Sequence, residues 1–264
     1  MKPSFPAHRT AYRKGTSSEG ERIIPEEVGV ALSYDGGTYA VMMATPSGLD
    51  DFGLGFSLTE GIVTAPDQIK SFAVVETGDG IELQMWLEEP LGQALSTRRR
   101  RIAGPTGCGL CGIDSLADAM RPPRAVISGL RVSAKDVHAA LASLSPAQSL
   151  NRETRAVHAA GFWRQDFPVI VREDVGRHNA LDKLVGALAR EGIAGSAGIL
   201  VLTSRVSVEM VQKAAVLGTS VIVAVSAPTA LAVRMAEKAG ITLIAIARED
   251  GFEVFSHGET LRAG

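Results

Sequence analysis

Only two cysteines occur in 264 residues, which excludes a fold held together by a disulfide framework. No run of about 18 apolar residues is present, so no segment is long enough to span a membrane as a helix. Neither sign of charge is in excess: 27 Lys and Arg stand against 29 Asp and Glu, a formal net charge of −2. That balance gives no global attraction to nucleic acid or to an acidic membrane. The first residues include Lys2, His8, Arg9, Arg13 and Lys14 but lack the apolar stretch of a secretory leader. Neither G-x-x-x-x-G-K-[ST] nor G-x-G-x-x-G follows a strand, which leaves a P-loop or dinucleotide fold unsupported. Two cysteines without an H-x-x-x-H partner supply half of a structural zinc site, and no metal is expected. These absences predict a cytoplasmic protein with no nucleic-acid or membrane partner.

The two cysteines that are present stand together. Gly104-Pro-Thr-Gly-Cys-Gly-Leu-Cys-Gly112 places Cys108 and Cys111 in a C-x-x-C spacing amid four glycines. Glycine loses the most backbone freedom on ordering, so the stretch reads as a loop presenting sulfur rather than a helix or strand. Arg98 to Arg101 lie just upstream, and their field would favour thiolate over thiol if they fold back towards it. The alternative is a solvated basic run beside a buried thiol pair. A thioredoxin-type dithiol opens a helix behind a first strand, whereas this pair follows four strands and the arginines.

Periodicity predicts an α/β protein, α+β overall, in two lobes. Residues 1–20, rich in Pro, Ser, Gly and basic side chains, read as a flexible tail. Residues 21–120 form a smaller, mainly β lobe that ends in the cysteine loop. Its signals are a hairpin about Asp35-Gly36-Gly37, a helix from Leu49 to Glu60, strands Ile69–Glu76 and Ile81–Leu87, and a short helix near Asp114–Met120. Arg121-Pro122-Pro123 marks the boundary. Residues 121–264 read as an α/β lobe. A helix capped by Ser133 opens it, and Ala156–Trp163 and Pro168–Arg172 pair as strands. Apolar strands at Gly198–Thr203, Ser220–Val225 and Ile241–Ala247 then alternate with amphipathic helices.

In open α/β sheets ligands bind beyond the carboxyl ends of the strands. Thr203-Ser-Arg-Val-Ser207 and Val225-Ser-Ala-Pro-Thr229 each lead a strand into a helix through hydroxyl residues. Helix starts there favour anions, with Arg205 adding charge; the alternative is that Ser204, Ser207 and Ser226 serve as simple caps. Arg172-Glu-Asp-Val-Gly-Arg-His-Asn-Ala-Leu-Asp-Lys183 crowds the same edge. There His178, Asn179, Asp182 and Lys183 open a helix opposite its leucine face, and His178 and Asp182 are spaced to meet.

Gly107 to Gly112, Val41-Met-Met-Ala-Thr-Pro46 through Phe56-Ser-Leu-Thr-Glu-Gly61, and Arg172 to Ala180 together resemble the formate dehydrogenase accessory sulfurtransferase family, FdhD. The likeness runs from about Glu27 to the carboxyl terminus. It implies a sulfurtransferase that takes persulfide sulfur from a cysteine desulfurase. The sulfur passes to a molybdenum or tungsten cofactor carrying two pterin guanine dinucleotides, for use by formate dehydrogenase. On the matching motif, Cys108 carries the persulfide and Cys111 is the second thiol. The cofactor-binding stretch falls on Ile246, Ala247, Arg248, Glu249, Asp250 and Gly251, to which the sheet edge adds Ser204, Arg205, Ser226 and His178. The resemblance also implies a cytidine-deaminase-like carboxyl-terminal lobe, without the H-x-E that deaminases use beside zinc, and a homodimer. Two other functions fit the residues: a non-covalent chaperone for the cofactor, and a dithiol reductase.

Overall fold

Alternating apolar and polar residues build the amino-terminal half of this computed structural model, which describes residues 1–89, 91–92 and 123–262. Strands β3 (Val28–Tyr34) and β4 (Gly37–Ala44) pair antiparallel across a turn in which Asp35 and Gly36 take φ of 50° and 75°. Two left-handed central residues make the turn whose twist matches that of the strands. β5 (Ile69–Thr77) and β6 (Gly80–Leu87) add to β3 to give the order β4-β3-β6-β5. One face of this sheet is dry. Val30, Leu32, Leu83 and Met85 pack there against Phe52 and Phe56 of α1 (Leu49–Thr59).

Residues 1–20 are not the expected tail. β1 (Ser4–Arg13) and β2 (Thr16–Pro25) form a separate two-stranded ribbon paired in continuous register from Ser4↔Pro25 to Arg13↔Thr16. Lys14 and Gly15, at φ of 48° and 82°, supply the same left-handed turn, which the polar composition masked. The expected boundary at Arg121-Pro122 and the short helix near Asp114–Met120 lie outside the described residues.

The carboxyl-terminal half contributes α2 (Ala134–Ala147), α3 (Ser149–Thr154) and a mixed sheet. Its strands are β7 (His158–Trp163), β8 (Ile170–Asp174), β9 (Ile199–Leu202), β10 (Val221–Ala224), β11 (Thr242–Arg248) and β12 (Gly251–Ser256). They lie in the order β12-β11-β10-β9-β7-β8, with β9, β10 and β11 parallel and the remaining pairings antiparallel. Helices α4 (Arg177–Arg190), α5 (Val208–Leu217) and α6 (Ala230–Ala239) cover one face, and α2 covers the other. Every residue of β9 and β10 is buried, which explains their unbroken apolar runs. The predicted α/β class is the one found.

The halves join where α1 crosses α4. A Cβ on Gly55 would stand 1.7 Å from the Asp182 carbonyl oxygen, and one on Gly186 would stand 1.9 Å from that of Asp51. Gly55 of α1 and Gly186 of α4 therefore permit backbone-to-backbone packing, whereas Gly53 of α1 makes room for the Phe72 ring.

Candidate functional site

The topology gathers the polar segments at one edge of the large sheet. β9, β10 and β11 end there, β8 ends there because it pairs antiparallel with β7, and β7 begins there. Three segments leave this edge towards helices: Thr203–Ser207 into α5, Val225–Thr229 into α6, and Val175-Gly176 into α4. The first two are themselves paired. Val206 N–H donates to the Ala227 carbonyl (3.3 Å) and Thr229 N–H to that of Val206 (2.9 Å). Thr229 caps α6 by accepting from Ala232 N–H (3.2 Å), whereas Ser207 begins α5 with no side-chain cap. Ser204 is buried and donates to the carbonyl of exposed Arg205 (3.2 Å). Simple capping thus accounts for neither Ser204 nor Ser226.

Ile246 to Gly251 turns the chain from β11 into β12. Ile246 has φ of 51°, rare for a β-branched side chain, and the register shifts between Ala245 and Arg248. A bulge re-aims the residues after it, here Arg248, Glu249 and Asp250 at the tip. The Ile246 N–H donates to the Ser226 carbonyl (3.3 Å), tying this turn to the segment beside it. A cleft of about 940 Å³ opens between that tip and α2, lined by Ala247, Arg248, Glu249, Asp250, Val225 and His138 among others. The contribution of α2 was not read from sequence. Its Val137, Ala140 and Leu144 pattern shows which face is buried but not what the opposite face meets.

His178 is not among the residues lining this cleft. It opens α4, beside the start of β7 and across β10 and β9 from Arg248. Burial first, then the charges of Arg177 and Lys213, lowers its pKa from 6.5 to about 4, against the pull of Glu209. His158, at the start of β7, is lowered too, by burial and then by Arg177. Glu209 stays ionised: burial works against its charge, but the Ser207 hydroxyl, its own backbone N–H, His178 and Arg177 outweigh that.

The expected meeting of His178 with Asp182 does not occur. Asp182 accepts from Thr59 (2.7 Å) and from Lys213 Nζ (2.9 and 3.1 Å), and Lys213 also reaches Glu60 at 3.3 Å. On the next residue, Lys183 Nζ donates to Asp174 (2.6 Å) and to the Thr45 carbonyl (2.9 Å), and one turn back Asn179 Nδ2 donates to the Met43 carbonyl (2.8 Å). Asn179, Asp182 and Lys183 are buried, spent on holding the halves together rather than offered to a ligand. Cys108 and Cys111 lie outside the described residues. Among the described residues no group of His, Cys, Asp and Glu could hold a metal ion. No helix among them is long and apolar enough to cross a membrane.

These features define a class: a two-lobed α/β protein with a cleft and an uncapped helix start at the carboxyl edge of a mixed sheet. The chain belongs to the FdhD/NarQ family, which it matches over residues 25–262. It is 53% identical over 256 residues to the sulfur carrier protein FdhD of Agrobacterium fabrum, covering 96% of this chain and 94% of that one. It is 46% identical over 262 residues to the protein of the same name from Cupriavidus necator, covering 97% and 91%. Its fold is similar to that of a solved protein from Desulfotalea psychrophila described as a formate dehydrogenase accessory protein. The TM-score is 0.78 at 21% identity, over 98% of this chain and 99% of that one.

Proposed function

We propose that this protein is a sulfurtransferase of formate dehydrogenase maturation. It takes a sulfur atom as a persulfide on Cys108 and passes it to a molybdenum or tungsten cofactor bearing guanine dinucleotides. The observation that carries the reading is membership of a family whose relatives at up to 53% identity are named sulfur carriers, in a chain whose only two cysteines form one C-x-x-C. In the first step the Cys108 thiolate attacks the terminal sulfur of a desulfurase persulfide. A new S–S bond forms on Cys108, the donor's S–S bond breaks, and the donor cysteine leaves as thiolate, with no net oxidation.

The substrate's guanine nucleotide belongs in the cleft beside Arg248, Glu249 and Asp250. The cleft has the concavity that a nucleotide needs and a guanidinium for its phosphates. Ile246, Ala247 and Gly251 shape the turn, Ser204, Arg205 and Ser226 follow along the edge, and His178 stands further along that edge, outside the cleft. Formate dehydrogenase and a cysteine desulfurase are the protein partners, a second copy of the chain is a further one, and the cytoplasm is the setting.

Intact mass spectrometry after incubation with a cysteine desulfurase and cysteine tests the relay. Wild type gains about 32 Da, one sulfur atom. Cys108→Ala loses the adduct, and Cys111→Ala retains some of it. An adduct on neither wild type nor variants favours a non-covalent cofactor chaperone, and loss in Cys111→Ala alone reverses the two roles. Calorimetry with GDP tests the cleft separately. Arg248→Ala should weaken binding by about 1.5–3 kcal/mol; unchanged affinity would remove the nucleotide from this place.

A further inference from the structure

Two buried nitrogens at the start of α4 have no hydrogen-bond partner: Arg177 Nε and His178 Nε2. Unpaired buried donors are uncommon in native proteins, and two on successive residues outside the nucleotide cleft call for a ligand. The surroundings say which kind. His158 pairs in register with Asp174, just before the Val175-Gly176 turn that leads to these residues, and it is close enough to feel the charge of Arg177 and to act on His178. From α5, Glu209 and Lys213 act on His178, and from its own helix Arg177 does so. Lys213 is already held by Asp182 and Glu60, and Asp174 by Lys183, so that Glu209 is the acid acting on His178 and Asp174, already paired, the one acting on His158. Arginine can only donate, and a neutral imidazole can donate from one ring nitrogen and take up a proton on the other. The α4 amino terminus, at Gly176 with no side-chain cap, adds a partial positive charge.

We propose that Arg177, His178 and His158 form a second ligand site, separate from the Arg248 cleft, that binds a phosphate-class oxyanion. It stands on its own groups rather than on the nucleotide reading. Three strand spacings, β11 to β10 to β9 to β7, separate the two places by about 14 Å. A single extended substrate with two phosphate groups could reach both, and a free phosphate could occupy this one alone. Binding carries a proton with it: an oxyanion beside His178 offsets the burial and the like charges that keep the ring neutral, so the ring takes up a proton as the anion arrives. Affinity therefore rises as pH falls from 8 towards 6.

The test follows the imidazole nitrogens by NMR in protein labelled with 15N-histidine, with inorganic phosphate and GDP as probes. In wild type and in Arg248→Gln, phosphate should shift His178 Nε2 and raise the pKa of the ring from about 4. Arg177→Gln should weaken phosphate binding about tenfold or more, as expected for a lost charge-assisted contact. A shift produced by GDP in wild type and by neither probe in Arg248→Gln would overturn the proposal, since His178 would then report the nucleotide cleft. No shift with either probe would also overturn it. If Arg177→Gln fails to fold, the wild-type titration decides, because a ring pKa unchanged by saturating phosphate excludes an oxyanion at this place.

Discussion

Half-buried His178 and fully buried Lys183 are both basic side chains on one helix, yet they respond to burial differently. Lys183 is pressed below its ordinary pKa by burial but keeps a carboxylate at 2.6 Å. His178 has no such partner and is neutral at pH 7. A base whose pKa is lower folded than unfolded adds nothing to the pH dependence above 6.5 and costs stability as pH falls towards 4, because only the unfolded chain gains the proton. Urea unfolding should therefore show stability dropping through that window by up to about 3 kcal/mol, since each pKa unit is worth about 1.4 kcal/mol. The decline should flatten in His178→Gln; an equal slope in both proteins would assign it to other groups. Lys183→Met leaves the Asp174 carboxylate buried without its cation and should cost about 3–5 kcal/mol. Adding Asp174→Asn should restore part of that loss, and chemical denaturation of the single and double variants measures it.

Between elements, the contact of most consequence is the crossing of α1 and α4. Alanine is the better helix former by about 1 kcal/mol, so Gly55→Ala or Gly186→Ala would stabilise an exposed helix. Here the added methyl meets backbone at less than 2 Å, and the helices must move apart. That separation stretches the Thr59–Asp182 hydrogen bond and the Asp51–Arg172 pair, both at 2.7 Å. Either substitution should destabilise the protein by at least about 1–3 kcal/mol, the usual range for overpacking. A midpoint at or above wild type in urea would show that the crossing is looser than its geometry. The β1–β2 ribbon is the opposite case, exposed over most of its length and joined to α3 by Arg22 donating to the Thr154 carbonyl (3.3 Å).

Across the whole molecule, the two larger sheets are separate but the charges between them are shared. Lys213 of the carboxyl-terminal half is completed by Thr59 and Glu60 of the other half, and Asp174 by the Thr45 N–H (3.0 Å). Parting the halves would strand buried ions, so they should unfold together. The two tryptophans make this measurable, with Trp86 on β6 in one sheet and Trp163 on β7 in the other. Single Trp→Phe variants should give the same denaturation midpoint by fluorescence, and two separated midpoints would show independent lobes.

The sequence by itself determined the elements: the β3–β4 hairpin from its Asp-Gly turn, the buried strands β9 to β11 from their apolar runs, and α4, α5 and α6 from their spacing. It also brought Thr203–Ser207, Val225–Thr229 and Ile246–Gly251 to one edge, because parallel strands share a carboxyl end. Periodicity and turn chemistry are local, and local rules suffice for these. Which polar residues face a ligand was decided only by the tertiary structure. Asn179, Asp182 and Lys183 look as available as His178 on the helix, yet they are consumed by partners more than a hundred residues away in Met43, Thr45 and Thr59, or by Lys213. The order of the amino-terminal ribbon likewise depends on a register between two strands, not on composition. A hydrogen bond is spent or free according to what the rest of the chain brings within 3 Å, and no window of sequence contains that distance.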